Sequence, residues 1–243
     1  MFDIDGVIRD VGGSYRKAIV ETVHHYSGQR PSPESIDALK AEGCWNNDWE
    51  ASLELLRRQG QQDLPAFEAL VEVFNGFYFG GDPEGDPAAW TGFIRNEPLL
   101  VDAALFSALS AADVAWGFVS GAEPPSARFV LQTRLGLEQP PLIAMGEAPD
   151  KPDPSGFLRL ASSLAPPSVP VAYLGDTVAD VTTVVRARQA KPDQRFISLA
   201  VAPPHLHSSP RRAAYEDQLR QAGADVVIPG TTAVLAALEQ AIA

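Results

Sequence analysis

The second half of the chain most constrains what it can fold into. From about residue 100 onward, short apolar runs alternate with helical stretches, the runs lying at 114–119, 142–145, 171–174, 196–201 and 226–228. A strand wetted on one face alternates apolar and polar side chains, whereas near-continuous apolar character means burial on both faces. Such strands alternating with helices build a parallel sheet wrapped by helices. Residues 1–5 are a sixth candidate strand. The expected class is therefore α/β.

Residues 14–97 read differently. Ser14 can cap a helix whose apolar face includes Ile19, Val20, Val23 and Tyr26, and a second helix begins near Ser32-Pro33. Helical periodicity returns at 49–56 and 67–74, and the Gly/Asp/Pro-rich run at 79–87 is a loop. A helical block thus interrupts the α/β pattern just after its first strand. This predicts a core of residues 1–13 plus 98–243 and an inserted helical cap of residues 14–97, with Gly12-Gly13 as a hinge for cap closure.

Charge and composition narrow the function. The 243 residues carry 19 basic against 31 acidic side chains, a formal charge of -12, which argues against a nucleic-acid-binding surface. An anionic substrate would need local positive charge, which a divalent cation supplies. No apolar run reaches the roughly 18 to 20 residues of a bilayer span, and the first residues lack the basic and apolar regions of a signal peptide. A soluble cytoplasmic protein without a membrane partner is expected. Cys44, the sole cysteine, excludes an intrachain disulfide and a thiolate zinc cluster.

Ligands of open α/β sheets bind beyond the carboxyl ends of the strands, so polar residues placed there are the candidates. Asp3-Ile4-Asp5-Gly6-Val7 sets two carboxylates on one face of an extended segment, where they repel each other unless something compensates. Capping of a turn before Gly6 accounts for one aspartate more readily than for two. Ser120-Gly121 ends an apolar run; alone it is a common turn, yet its hydroxyl and the following N–H groups suit a phosphate. Lys151-Pro152-Asp153-Pro154 restricts the backbone around a lysine that would otherwise be solvated. Asp176 and Asp180 follow the run at 171–174, where either can cap the next helix; together with the first acidic pair they suggest a shared cation, and carboxylate oxygens suit Mg²⁺.

In this order DIDGV, VSG, KPDP and GDTVAD resemble the motifs of the haloacid dehalogenase superfamily, and the insert after the first motif resembles the helical C1-type cap of subfamily I, with its phosphoglycolate phosphatases and β-phosphoglucomutases. The resemblance implies a Rossmann-like parallel-sheet core with an inserted α-helical cap. It implies Asp3 as nucleophile, forming an aspartyl-phosphate, and Asp5 as general acid and base. Mg²⁺ would be held by Asp3, the backbone carbonyl of Asp5 and Asp176, with Asp180 as a ligand or supporting partner. Ser120, Gly121 and Lys151 would bind the transferring phosphoryl group. Asp5 favours phosphoryl chemistry over carbon–halogen cleavage, which needs no acid. Members of the family usually carry several apolar residues before the nucleophile, where Met1 and Phe2 stand here; either the first strand is short or the natural start lies upstream. The segments SYRKAIVETV and GCWNNDWEASLEL are similar to a subfamily I subgroup of cyanobacteria and archaea.

Within the insert, Lys40, Asn46 and Asn47 are candidates for contact with the leaving group, with Arg16 and Lys17 behind them; equally, Asn47 or Asp48 can cap a helix while Trp45 and Trp49 pack the interior. His24, His25, His205 and His207 read as solvated side chains, since the pair at 205 and 207 lacks a third ligand. The expected activity is Mg²⁺-dependent hydrolysis of a small phosphorylated metabolite by a monomer or homodimer. A phosphomutase and a non-catalytic metabolite-binding protein are the alternatives.

Overall fold

The computed structural model describes residues 1–42, 45 and 47–242. The chain divides into two compact units, one of Met1–Asp10 with Pro98–Ala243 and one of Val11–Glu97. The first crossing falls after Asp10 rather than after Gly13.

The larger unit is built on parallel strands β1 (Phe118–Val119), β2 (Leu142–Ile143), β3 (Val171–Gly175), β4 (Phe196–Val201) and β5 (Val226–Ile228). β2 pairs with β1, and β4 lies between β3 and β5. The two parts are joined by the N-terminal segment: Phe2 bridges in parallel to Phe118 on one side and to Leu174 on the other. Its ladder runs through Phe2 N to Gly117 O, Val119 N to Phe2 O, Asp3 N to Leu174 O and Leu174 N to Met1 O, all at 2.9–3.0 Å.

Of the candidate strand over residues 1–5, only Phe2 is bridged into the sheet, while Asp5 bridges to Arg9. The runs at 114–119 and 142–145 likewise contribute only two strand residues each, because a ladder cannot outrun its partners: β1 is flanked by one residue of the N-terminal segment and two of β2. The run at 171–174 continues through Gly175, and the last two runs match their strands in full.

Alternation along the strands sorts the core into two layers. Val171, Tyr173 and Phe196 join Val119 and Ile143 in a cluster with Phe157, Leu160 and Val184, side chains of α7 (Ser155–Leu164) and α8 (Val178–Ala190). Ala172 and Leu199 line the other face with Phe2, Leu109 of α5 (Ala103–Ala111) and Val234 and Leu238 of α10 (Val234–Ile242). There Phe2 meets Phe106 edge-on at 5.7 Å between ring centroids and Phe118 at 6.0 Å, and Trp116 lies tilted against Phe106 at 4.9 Å. α9 (Arg212–Ala222) adds Leu219 against Val181 and Ala200.

The smaller unit packs α1 (Tyr15–Ser27), α2 (Pro33–Ala41), α3 (Asp48–Arg58) and α4 (Phe67–Tyr78). Ser32 caps α2 by accepting from Ser35 N, and Asn47 caps α3 by accepting from Trp49 N and Glu50 N. Ser14 precedes α1 without capping it. Its hydroxyl donates instead to the buried Glu97 at 2.5 Å, which also accepts from Tyr78 at 3.3 Å. A carboxylate taken out of water is a strong acceptor, and the hydroxyl is oriented toward Glu97 instead of accepting from an N–H of the first turn. Tyr78 stacks on Tyr15 with centroids 4.1 Å apart.

Phe2 buries its ring against Phe106 and Phe118, so Phe2→Ala, which leaves the backbone bridges in place, is expected to lower the unfolding free energy of the larger unit by about 3–5 kcal/mol. Urea titration followed by Trp116 fluorescence measures it.

Candidate active site

Register places the site. Phe2 pairs with both Phe118 and Leu174, so Asp3, Val119 and Gly175 sit at one level of the sheet, with Ser120 and Asp176 following at the carboxyl ends of β1 and β3. This is the edge at which the loops of an open parallel sheet hold ligands.

Three carboxylates converge there: oxygens of Asp3, Asp176 and Asp180 all lie within 4.8 Å of one another, and all three residues are buried. Lys151 answers part of their charge. Its ammonium donates to Asp180 Oδ1 at 2.5 Å, reaches Asp3 Oδ2 at 2.8 Å and donates to the Tyr173 hydroxyl at 3.2 Å. Tyr173 in turn donates to Val119 O at 2.8 Å, which ties the lysine to the end of β1.

The second acidic motif acquires its geometry from a helix start. Thr177 caps α8 by accepting from Asp180 N, while Asp180 Oδ2 accepts from Thr177 N and its hydroxyl, a reciprocal capping box. Asp180 is therefore a helix cap that also faces the carboxylates of Asp3 and Asp176. Gly175 allows the approach: a Cβ there would lie 2.2 Å from Asp180 Cβ. Gly6 performs the same service for Asp176, since its φ is +72° and a Cβ would fall 1.9 Å from Asp176 Oδ2. Tyr215 fixes the same loop by donating to Asp176 O at 2.9 Å.

The electrostatics follow from three negative groups facing one positive. Burial pushes the Asp3 carboxyl up to about 6, opposed by Lys151 and aided by Asp180 and Asp5. Burial, with Asp180 and Asp3 adding to it, drives Asp176 well above the ordinary carboxylate range. Burial also works against ionised Asp180, but the Lys151 ammonium and the hydrogen bonds from Lys151 and Thr177 outweigh it and hold this group low. Lys151 loses stability as a cation through burial, and Asp180 and Asp3 more than restore it, so it stays charged. Asp176 has no hydrogen-bond or ion-pair partner for its carboxylate among the described residues, although it is only 8% exposed. A buried carboxylate without a partner beside two others is a donor set for a hard divalent cation.

Asp5 departs from the expected cluster. Its side chain turns to Arg9, whose Nε donates to Asp5 Oδ1 at 2.7 Å. The repulsion between Asp3 and Asp5 is thus relieved by two separate cations of the protein, Lys151 for one and Arg9 for the other. Any part Asp5 has in holding a metal rests on its backbone carbonyl, as the family resemblance implies. Ser120 is buried, and its Oγ accepts from Ala122 N at 3.2 Å. Gly121 is not required sterically, since a Cβ there would meet nothing within 4 Å.

The candidates in the helical unit are engaged locally. Lys40 donates to Asp48 Oδ1 at 2.5 Å and to Trp45 O at 2.7 Å, and the Asn47 side chain is occupied in capping α3. Arg16 pairs with Asp37 at 2.6 Å, and Lys17 lies over the Phe93 ring. Asn46 and Cys44 lie outside the described residues. His207 contacts Ala202 O at 2.8 Å, and His24 lies beside Glu21 and Arg30. Among the described residues, Asp3, Asp176 and Asp180 form the one group of His, Cys, Asp or Glu side chains with metal-binding spacing.

Arg9, Tyr173, Gly6 and Tyr215 escaped the sequence reading. Gly6 had a visible signal, a glycine directly after an acidic pair; the others are ordinary letters until the chain folds.

Comparison with known proteins agrees with this geometry. A family model of haloacid dehalogenase-like hydrolases matches residues 1–188. The chain belongs to that family. It is 29% identical over 239 residues to an imidazoleglycerol-phosphate dehydratase of Phytophthora nicotianae, a match spanning 95% of this chain and 50% of that protein. The chain thus corresponds to about half the length of this curated relative. Among solved structures, it resembles the phosphatase Tt82 of Thermococcus thioreducens at 21% identity and a TM-score of 0.63, covering 90% of this chain and 98% of that one. It also resembles a protein assigned as a phosphoglycolate phosphatase from Haemophilus somnus, at 15% identity and a TM-score of 0.69, covering 98% and 96%. At these identities the likeness is one of fold. No helix among the described residues is long and apolar enough to cross a membrane.

Two outcomes are expected in chelator. A group whose folded pKa is raised, as for Asp3, contributes stability that is full below the unfolded value near 4 and lost as pH rises through about 6. Asp3→Asn removes that loss, so thermal melts should show the stability difference moving in favour of the variant between pH 5 and pH 7.5. Gly6→Ala combines a positive φ with a clash on Asp176 and should cost at least about 1 kcal/mol in urea unfolding.

Proposed function

We propose that this chain is a Mg²⁺-dependent phosphatase that hydrolyses a small phosphate monoester through an aspartyl-phosphate on Asp3. The observation that carries the reading is the placement of Lys151 between Asp3 and Asp180, at 2.8 and 2.5 Å, beside the unpartnered carboxylate of Asp176.

Asp3, Asp176 and the Asp5 carbonyl would hold the cation, with Asp180 supporting the arrangement. When bound, Mg²⁺ neutralises phosphate charge and keeps carboxylates ionised at neutral pH. The chain's own groups supply the rest. The Asp3 carboxylate attacks phosphorus in line with the leaving oxygen, and Asp5 delivers a proton to that oxygen as the alcohol departs. The Lys151 ammonium, the Ser120 hydroxyl and the Gly121 N–H receive charge gathering on the equatorial oxygens. Asp5, now a carboxylate, takes a proton from water attacking the phosphorus of aspartyl-phosphate, which restores Asp3 and releases inorganic phosphate.

The substrate is proposed to be a metabolite rather than a polymer, in keeping with a helical unit inserted after the nucleophile loop. The dehydratase relative takes its name from imidazoleglycerol phosphate, itself a phosphate monoester, so imidazole-bearing alkyl phosphates belong in the substrate panel beside sugar and organic-acid phosphates.

Phosphate release across that panel tests the reading. Turnover should require Mg²⁺, stop in chelator and vanish in Asp3→Asn, while Lys151→Ala should lose at least about 100-fold in kcat. Isomerised product without free phosphate would instead support a mutase, and binding without turnover would support a metabolite-binding role.

A further inference from the structure

We propose that Arg9 is a positioning residue for Asp5, fixing the orientation from which that carboxyl exchanges a proton with the leaving oxygen; the inference rests on the phosphatase reading above. Arg9 is fully buried, and its guanidinium reaches both Asp5 and Ser126: Nε donates to Asp5 Oδ1 at 2.7 Å and Nη2 donates to Ser126 Oγ at 2.8 Å. A planar fork can serve both at once, which the single point charge of a lysine cannot do with the same geometry.

The arginine is itself held at its backbone. Gly6 N donates to Arg9 O at 2.9 Å, Arg9 N donates to Ile4 O at 3.2 Å, and Arg9 bridges in antiparallel fashion to Leu99. On either side, Leu100 N donates to Ile8 O and Asp10 N to Pro98 O, both at 2.8 Å. The side chain therefore departs from a fixed ladder and ends on a serine of α6 (Pro124–Arg128), so the guanidinium has no free swing.

Asp5 needs such a restraint. Its side chain is 28% exposed, and a partly wetted aspartate samples several rotamers unless held. Arg9 occupies Oδ1 alone, which leaves Oδ2 without a protein partner among the described residues and available to the reacting oxygen. Stability alone is a poor reason for the arrangement, since burying a guanidinium carries a desolvation cost that an apolar side chain would avoid.

Leaving groups provide the test. The first step forms the bond from Asp3 oxygen to phosphorus and breaks the ester bond, and its product alcohol needs the Asp5 proton only when it is a strong base. Steady-state kinetics are measured with p-nitrophenyl phosphate, whose phenolate departs unprotonated, and with the alkyl phosphate turned over fastest in the panel, using kcat/KM to report this step. Arg9→Lys and Arg9→Met should lose about 10- to 100-fold on the alkyl phosphate and no more than about 3-fold on the aryl one, a part of the usual range of general acid catalysis. Ser126→Ala, which keeps the arginine but removes the acceptor of its Nη2, should show the same selectivity at smaller size and guards against loss of the fold in the arginine variants. Equal losses on both substrates, or none, would overturn the assignment of Arg9 while leaving the phosphatase reading intact. Absence of turnover of either substrate by the unaltered chain would sink that reading and the inference with it.

Discussion

One ammonium group faces three buried carboxylates at the carboxyl ends of the strands. Lys151 satisfies Asp180 and reaches Asp3, yet a single positive charge cannot balance three negative ones in a site that water does not enter freely. The residue of that imbalance falls on Asp176, whose carboxyl is driven upward and has no partner of its own among the described residues. Left alone, the cluster takes up protons; given a divalent cation, it can remain ionised. The same imbalance that costs stability at neutral pH is thus what suits the cluster to a divalent cation.

The scaffold serves this arrangement by close backbone approach. Gly6 and Gly175 stand where any side chain would collide with Asp176 and Asp180, and the Thr177–Asp180 capping box begins α8 at the site itself. The loop carrying Asp3 is held by very little sheet, since Phe2 is the residue that bridges β1 and β3; its aromatic packing against Phe106 and Phe118 compensates for the missing length. Arg9 then links Asp5 to the antiparallel stretch around Leu99, so the two aspartates of one motif answer to different cations and different supports.

Membership of the haloacid dehalogenase-like hydrolases follows from the family match over residues 1–188, and the solved structures it resembles share its fold at identities too low to carry a substrate across. The helical unit illustrates the difference between type of residue and role. Lys40 and Asn47 have the polar chemistry expected of specificity residues, but the lysine is held by Asp48 and Trp45 and the asparagine caps α3.

By itself the sequence determined the alternation of buried strands and helices and singled out Asp3, Asp176, Asp180 and Lys151 as polar groups at strand ends, because apolar runs and short spacings are local properties of a chain. It could not reveal that Ser14 would serve Glu97 instead of its helix, that the first strand would shrink to Phe2, or that Arg9 and Tyr173 would anchor Asp5 and Lys151. Those outcomes depend on which groups meet across tens of residues of chain. Only in the folded molecule do burial and opposing charge decide which partner each polar atom takes.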